Sequence, residues 1–278
     1  VARLVGDEHV REEQKMQNFD FVKPSSVADA VAALSKSGAQ ALSGGQTLTP
    51  TMKQRLATPD VLVSLTGIAE MKGVKHTGST LWIGAATPHA VVAKEAASAF
   101  AGLAGLAGGI GDPAVRNRGT IGGSIANNDP AACYPSAVLG SGATVITNKR
   151  RIAADDYFTG MFSTALAEGE IVTGVEFPLP KRSAYAKFNQ PASRFALTGA
   201  FVSQAADGSV RVAITGASNN GVFRWKAAEA ALTANFSASA LAGLKVDATD
   251  MISDLHGTAD YRANLVKVMT GRAVTAAR

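Results

Sequence analysis

Apolar and polar positions recur along this chain with two different periods, and the changes of period divide it. After the capping pair Ser25-Ser26, Val27, Ala30, Val31 and Leu34 fall at i, i+3, i+4 and i+7, the spacing of one helix face, and Gly38 ends the run. Phe19 and Phe21 ahead of it mark a short strand. Ala39 to Leu42 and Val61 to Leu65 read as buried strands, separated by a helix that Thr49-Pro50 opens and that runs through Arg55. Strand, helix, strand, glycine loop, helix, strand is an α/β unit. A hairpin follows, Gly73 to His76 and Leu81 to Gly84 about Thr77-Gly78-Ser79. Next come a helix from Thr87-Pro88 to Ala97 and an alanine- and glycine-rich helix around Phe100 to Gly109. Pro130 is expected to start a further helix, and Ala143 to Thr147 and Glu170 to Phe177 have strand character.

Past Pro178-Leu179-Pro180 the pattern turns to longer antiparallel runs: Ala184 to Asn189, Leu197 to Gln204 and Val210 to Ala217, the last two joined across the hairpin signal Asp207-Gly208. Helices around Trp225 to Leu232, Ser239 to Leu244 and Tyr261 to Thr270 complete the chain. The expected organisation is a disordered polar extension over 1–15, one unit over 16–72, a second over 73–178 and a C-terminal α+β domain over 179–278.

Composition narrows the class. With 46% hydrophobic and 18% charged residues the chain reads as globular, and the most apolar stretch, Ala96 to Ile110, is too short and too broken by glycines to span a bilayer. The net charge of +5 is spread out, and the clusters Lys149-Arg150-Arg151 and Lys181-Arg182 lack interleaved aromatics, so no nucleic-acid partner is indicated. One cysteine, Cys133, excludes an internal disulfide, and four histidines without ligand spacing give no metal site. Residues 1–15 contain no signal peptide, and the default location is cytoplasmic, or periplasmic if a partner carries an export signal.

Two stretches carry candidate chemistry. Ala41-Leu42-Ser43-Gly44-Gly45-Gln46-Thr47-Leu48 and Arg118-Gly119-Thr120-Ile121-Gly122-Gly123-Ser124-Ile125-Ala126-Asn127-Asn128-Asp129-Pro130 each set paired glycines beside small hydroxyl or amide residues. Such backbone approaches a ligand closely and offers N–H groups to phosphate, although ordinary tight turns fit the glycines equally well. Neither stretch is a G-x-G-x-x-G fingerprint or a P-loop. His89 reads as a polar surface residue, Phe188 and Phe195 as core, and Arg116 and Arg118 as partners of either phosphate or another subunit.

In wording and order the two stretches resemble the FAD-binding medium subunits of the molybdenum hydroxylases, the family of carbon monoxide dehydrogenase medium chains and of the flavin subunits of xanthine dehydrogenases and aldehyde oxidases. The resemblance runs from about Met16 to the C-terminus. It implies an α+β fold of the PCMH, or vanillyl-alcohol-oxidase-like, type: two α/β subdomains that bind FAD and a C-terminal domain with an antiparallel sheet. It assigns Leu42, Ser43, Gly44, Gly45, Gln46 and Thr47, with Thr120, Ile121, Gly122, Gly123 and Ser124, to the cofactor, backbone N–H groups and the hydroxyls of Ser43, Thr47 and Ser124 meeting the pyrophosphate. Asp129 accepts from a ribose or ribityl hydroxyl or else caps a helix; Ile171 or Val172 touches the flavin ring or is plain core. Lys187 reaches the site or faces solvent, sharing a strand face with Asn189. Cys133 stands where many members carry a second aspartate, and it reads as a small buried filler.

The resemblance further implies non-covalent FAD on this chain, with no side-chain catalyst. The molybdenum cofactor and 2Fe-2S clusters are then expected only in partner chains, a large molybdopterin-binding subunit and a small 2Fe-2S subunit, in a heterotrimer or its dimer. Electrons would arrive from the 2Fe-2S partner and leave to an external acceptor. Two other readings stay open: a stand-alone FAD oxidoreductase on the same fold, such as an enolpyruvyl-sugar reductase, and a phosphate-binding or scaffold protein without redox function.

Overall fold

The computed structural model describes residues 16–278; the extension expected over 1–15 lies outside them. In chain order the first elements are β1 (Asp20–Val22), α1 (Val27–Leu34), β2 (Ala39–Leu42), α2 (Leu48–Lys53) and β3 (Val61–Ser64). The strands form a three-stranded parallel sheet in the order β1-β3-β2. Helix α1 begins where the sequence pattern puts it: the Ser26 side chain accepts from the Asp29 backbone N–H.

The middle of the chain supplies β4 (Val74–Thr77), β5 (Thr80–Gly84), α3 (His89–Glu95), α4 (Ala101–Gly108), α5 (Pro113–Arg116), α6 (Ile121–Asn127) and α7 (Tyr134–Ser141). They are followed by β6 (Thr144–Thr147), β7 (Arg151–Ala153), α8 (Ala154–Tyr157), β8 (Phe158–Gly160), β9 (Ser163–Thr164) and β10 (Val172–Pro178). Five of these strands make an antiparallel sheet ordered β4-β5-β10-β6-β7. The C-terminal part contains β11 (Arg182–Asn189), β12 (Ala196–Gln204), β13 (Val210–Thr215), β14 (Phe223–Arg224), α9 (Lys226–Ala234) and α10 (Ala259–Ala276), its strands pairing in sequence order. Parallel and antiparallel sheets with segregated helices make this an α+β fold.

Two hydrophobic cores hold the layers. One joins the first two sheets through Val63, Ile68, Ile83, Leu103, Ile121 and Val175; the other lies between the C-terminal sheet and the helices α9 and α10, around Val202, Val212, Leu232 and Met269. Within the first core Phe100 joins the five-stranded sheet to the C-terminal one: its ring meets Phe177 of β10 at 5.9 Å and Phe201 of β12 at 6.0 Å, both edge-on. The small residues of α4 have a packing reason, since a Cβ on Gly102 would lie 2.9 Å from the Ser183 Cβ of β11. Among the described residues no helix is long and apolar enough to cross a membrane.

Candidate functional site

The first glycine stretch is the turn from β2 into α2. Gly45 takes φ +69°, a left-handed conformation that favours glycine, whereas Gly44 is a matter of room: a Cβ there would lie 2.6 Å from the Gly119 Cα. Helix α2 starts earlier than Thr49-Pro50 suggests, with Thr47 at its N-cap and no side-chain capping bond. Among the described residues, the backbone N–H groups of Ser43, Gly44, Gly45, Gln46 and Thr47 donate to no protein acceptor. Five adjacent donors on a part-exposed turn are suited to an anionic oxygen.

The second stretch differs from the expected loop. Thr120 caps α6, its Oγ1 accepting from Gly123 N at 3.2 Å, and Ile121 to Asn127 are helical. The amides expected to meet phosphate are largely engaged within the protein: Ile121 N donates to Thr87 O at 3.3 Å, Gly122 N to Ala85 O at 2.9 Å and Ser124 N to Thr120 O at 3.0 Å. Gly122 packs on β5's end, where a Cβ would lie 2.7 Å from the Ala85 carbonyl oxygen. The stretch therefore contributes proximity and hydroxyls. Ser43 Oγ and Thr120 Oγ1, 2.7 Å apart, tie the two stretches together.

Between them opens a cleft of about 600 Å³. Leu42, Ser43, Gly44, Gly45, Gln46, Thr47, Thr120, Gly122, Gly123, Ser124, Asp129, Ile171, Val172 and Lys187 all line it. Ile121 does not; its side chain is fully buried in the core. Asp129 caps no helix, since α7 begins only at Tyr134: Oδ1 accepts from Ala131 N at 2.8 Å in a local turn, and Oδ2 has no protein partner among the described residues. Lys187 faces the cleft with its ammonium held by Gly109 O (2.8 Å), Arg194 O (3.0 Å) and Cys133 Sγ (3.7 Å). Asn189 is exposed and does not line the cleft; the register shifts there, with Leu197 the extra residue on β12. Cys133 is buried and lines the cleft.

Ile171 and Val172 are presented by a fixed corner. The buried Glu170 carboxylate accepts from Thr147 Oγ1 at 2.6 Å, from Ala167 N at 2.9 Å and from Arg150 Nε and Nη2 at 3.1 Å each. The Arg150 guanidinium, helped by the other donors, pulls its pKa down to about 2.

Two residues of the lining had been assigned elsewhere in the sequence reading. Phe195, expected in the core, is 57% exposed and forms part of the cleft wall. His89, expected at the surface, is 5% exposed, lines the cleft and packs on Tyr134 with ring centroids 5.2 Å apart. Burial, with the Arg116 charge as a lesser cause, lowers the His89 pKa to about 4, so the imidazole is neutral at ordinary pH. Its Nδ1 and the Tyr134 hydroxyl have no partner among the described residues. No local signal announces His89: the bridge between Pro88 and Thr120 draws the start of α3 under the second stretch. For Phe195 no local pattern distinguishes a cleft wall from a core.

Comparison with known proteins agrees with this geometry. A family model described as the FAD binding domain in molybdopterin dehydrogenase matches residues 17–180. The chain is 34% identical to the carbon monoxide dehydrogenase medium chain of Afipia carboxidovorans, over 94% of this chain and 97% of that one. It is 32% identical to the nicotine 6-hydroxylase medium subunit of Paenarthrobacter nicotinovorans, over 95% and 98%. Among solved structures, reconstituted CO dehydrogenase from Oligotropha carboxidovorans superimposes with a TM-score of 0.85 at 32% identity, covering 94% of this chain and 98% of that one. Quinoline 2-oxidoreductase from Pseudomonas putida 86 gives 0.82 at 27%, covering 94% and 97%.

Proposed function

This chain belongs to the family of FAD-binding domains of molybdopterin dehydrogenases, and from that premise we propose that it receives electrons from a 2Fe-2S partner subunit and passes them to an external acceptor. It is an oxidoreductase subunit of the medium, FAD-binding kind; FAD is its cofactor, and the molybdenum and iron–sulfur cofactors belong to partner chains. A large molybdopterin-binding and a small 2Fe-2S subunit, one of each in a heterotrimer or its dimer, complete the proposed assembly.

The observation that carries the reading is the row of unengaged amides from Ser43 to Thr47, set into a cleft that the adjoining second glycine stretch also lines. A pyrophosphate needs donors that no protein acceptor has taken, and this turn offers them. The residues present fit FAD: Thr47 and Ser124 add hydroxyls, Asp129 keeps one carboxylate oxygen for a ribose or ribityl hydroxyl, and Ile171, Val172 and Phe195 give an apolar wall for a ring. Lys187 supplies a fixed positive charge beside it. When bound, FAD supplies the redox chemistry; the chain's own residues bind it, orient it and keep water from its faces. Choice of substrate falls to the large partner.

The test is the absorption spectrum of the purified chain before and after acid release, with the released compound identified by mass. Flavin bands and free FAD in the supernatant are expected; a folded chain that stays colourless and takes up no added FAD sinks the reading. Co-expression with candidate large and small subunits tests the assembly, which requires the three chains to elute together.

A further inference from the structure

The cleft lining holds a thiol that the proposed function does not use. Cys133 is 6% exposed, lines the cleft and lies 3.7 Å from Lys187 Nζ. The carbonyl oxygens of Gly109 and Arg194, 2.8 and 3.0 Å away, also hold that ammonium, so the amine is fixed beside the sulfur instead of ranging through solvent. The two side chains come from parts distant in the chain, Cys133 from the turn ahead of α7 and Lys187 from β11. A nucleophilic sulfur and an amine are thus brought together by the fold, within reach of any small molecule that enters the cleft.

The surroundings of the pair are short of acceptors. Tyr185 lies two residues before Lys187 on the same face of β11, and its buried hydroxyl has no partner among the described residues. Tyr134 follows Cys133 directly; it is fully buried, and its hydroxyl is likewise unmatched. Burial, with the neighbouring Cys133 as a lesser cause, pushes both phenol pKa values well above the ordinary 10, so both groups stay O–H donors. Buried donors are rarely left without an acceptor. Two of them in the neighbourhood of one sulfur mark a place where an oxygen atom carried by that sulfur would be received.

We propose that Cys133 and Lys187 form an oxidative modification site, at which a peroxide joins the two side chains through one bridging oxygen, Sγ–O–Nζ. In the net step the thiol and the neutral amine react with two molecules of hydrogen peroxide to give the bridge and three molecules of water. S–O and N–O bonds form; one S–H, one N–H and both peroxide O–O bonds break. Sulfur and nitrogen each lose two electrons, each peroxide takes up two, and the proton of the ammonium form goes to solvent. A sulfenic acid on Cys133 is the first product of such an oxidant, and the amine held beside it captures the sulfur before further oxidation. One intervening oxygen also spans the 3.7 Å separation better than a direct S–N bond, which demands a closer approach. The bridged nitrogen is of hydroxylamine type and uncharged at neutral pH, so the modification removes the positive charge of Lys187 from the cleft. That this loosens FAD rests on the function proposed above; the bridge itself does not.

The experiment is mass spectrometry of the full chain, as purified and after removal of FAD, before and after treatment with hydrogen peroxide, on intact protein and on its proteolytic peptides. A gain of one oxygen with a loss of two hydrogens is expected, with the peptides of Cys133 and Lys187 joined, and dithiothreitol should reverse both. Cys133→Ser and Lys187→Arg should each abolish the joined peptide. In Lys187→Arg the thiol should instead stop at a sulfenic acid that dimedone captures, or pass on to the sulfinic acid. FAD titration should show affinity lower on the order of tenfold for cross-linked than for reduced wild type. Sulfinic acid on wild-type Cys133 with Lys187 free, a joined peptide without the added oxygen, or an unmodified pair at peroxide levels that oxidise the exposed Met161 each overturn the bridge. Wild type alone decides this, whatever the folding of the variants. Unchanged FAD affinity after cross-linking overturns the effect on the cleft. If reduced protein takes up no FAD, the flavin reading fails by itself, and the masses still decide the bridge.

Discussion

Gly44 and Gly45 are neighbours with different reasons to be glycine. Gly45 needs its left-handed backbone, and a side chain there meets little beyond Thr49 Oγ1; Gly44 has an ordinary conformation and no room, because the Arg118–Gly119 backbone occupies the place of its Cβ. Gly44→Ala is expected to push the two stretches apart, lowering FAD affinity at least tenfold and stability by about 1–3 kcal/mol. Gly105→Ala, in open space on an exposed face of α4, should instead stabilise by about 1 kcal/mol. Flavin fluorescence titration and thermal melts of both variants check this; unchanged affinity in Gly44→Ala would mean that the close approach does not shape the cleft. Glu170 acts at the same scale. Its folded pKa of about 2 lies below the ordinary carboxylate value of 4.5, so its contribution is fully present above about pH 4.5 and is lost as pH falls toward 2. Glu170→Gln should cost about 2–3 kcal/mol near neutral pH, and the difference from wild type should shrink in urea melts near pH 3.

At the scale of elements, Thr120 does two things at once: it caps α6 and holds Ser43 of the other stretch. Thr120→Val removes both bonds and should lower stability by about 1–2 kcal/mol, with weaker FAD binding; Thr120→Ser, which keeps the hydroxyl, should restore most of each. Chemical melts and FAD titration of the pair give the answer, and a loss in Thr120→Ser with none in Thr120→Val would assign the role to the methyl group instead. The same helix marks where sequence reasoning stops. Helices α1 and α4, the hairpin β4–β5 and the first three strands of the C-terminal sheet were legible because capping, glycine turns and alternation are local signals, whereas the two-residue β14 was not. Helix α6 was not, since Gly122 and Gly123 have poor helix propensity and are tolerated there because Gly122 must lie against Ala85. Pro130 likewise opens no helix: its carbonyl and that of Ala132 accept from Thr215 Oγ1, 2.8 and 2.7 Å away, and hold the segment in an extended turn. The glycine wording made the two stretches legible as candidates, and most of their residues line the cleft; the register shift after Phe188, the burial of His89 and the exposure of Phe195 depend on contacts distant in sequence.

Across the whole molecule, the cleft takes wall residues from the parallel sheet (Leu42), the five-stranded sheet (Val172) and the C-terminal sheet (Lys187), so its integrity is coupled to global stability, and two buried groups make that stability sensitive to acid. His89 has a folded pKa of about 4 against an ordinary 6.5. The unfolded chain therefore binds the extra proton first, and stability is full above about pH 6.5 and declines as pH falls toward 4, by up to about 3 kcal/mol for a shift of this size. The Glu170 loss begins near pH 4.5 and continues to about 2, so the two windows follow one another. Acid destabilisation is expected in two stages, the first carried by the imidazole under the second glycine stretch and accompanied by release of FAD. In His89→Asn, which cannot titrate, the melting temperature should be lower at neutral pH for loss of packing on Tyr134, yet nearly flat from pH 6.5 to 4.5, and the second stage should persist. Differential scanning calorimetry across that range separates the slope from the offset. An unchanged slope in the variant would move the first stage to some other group and leave the buried imidazole a packing residue alone.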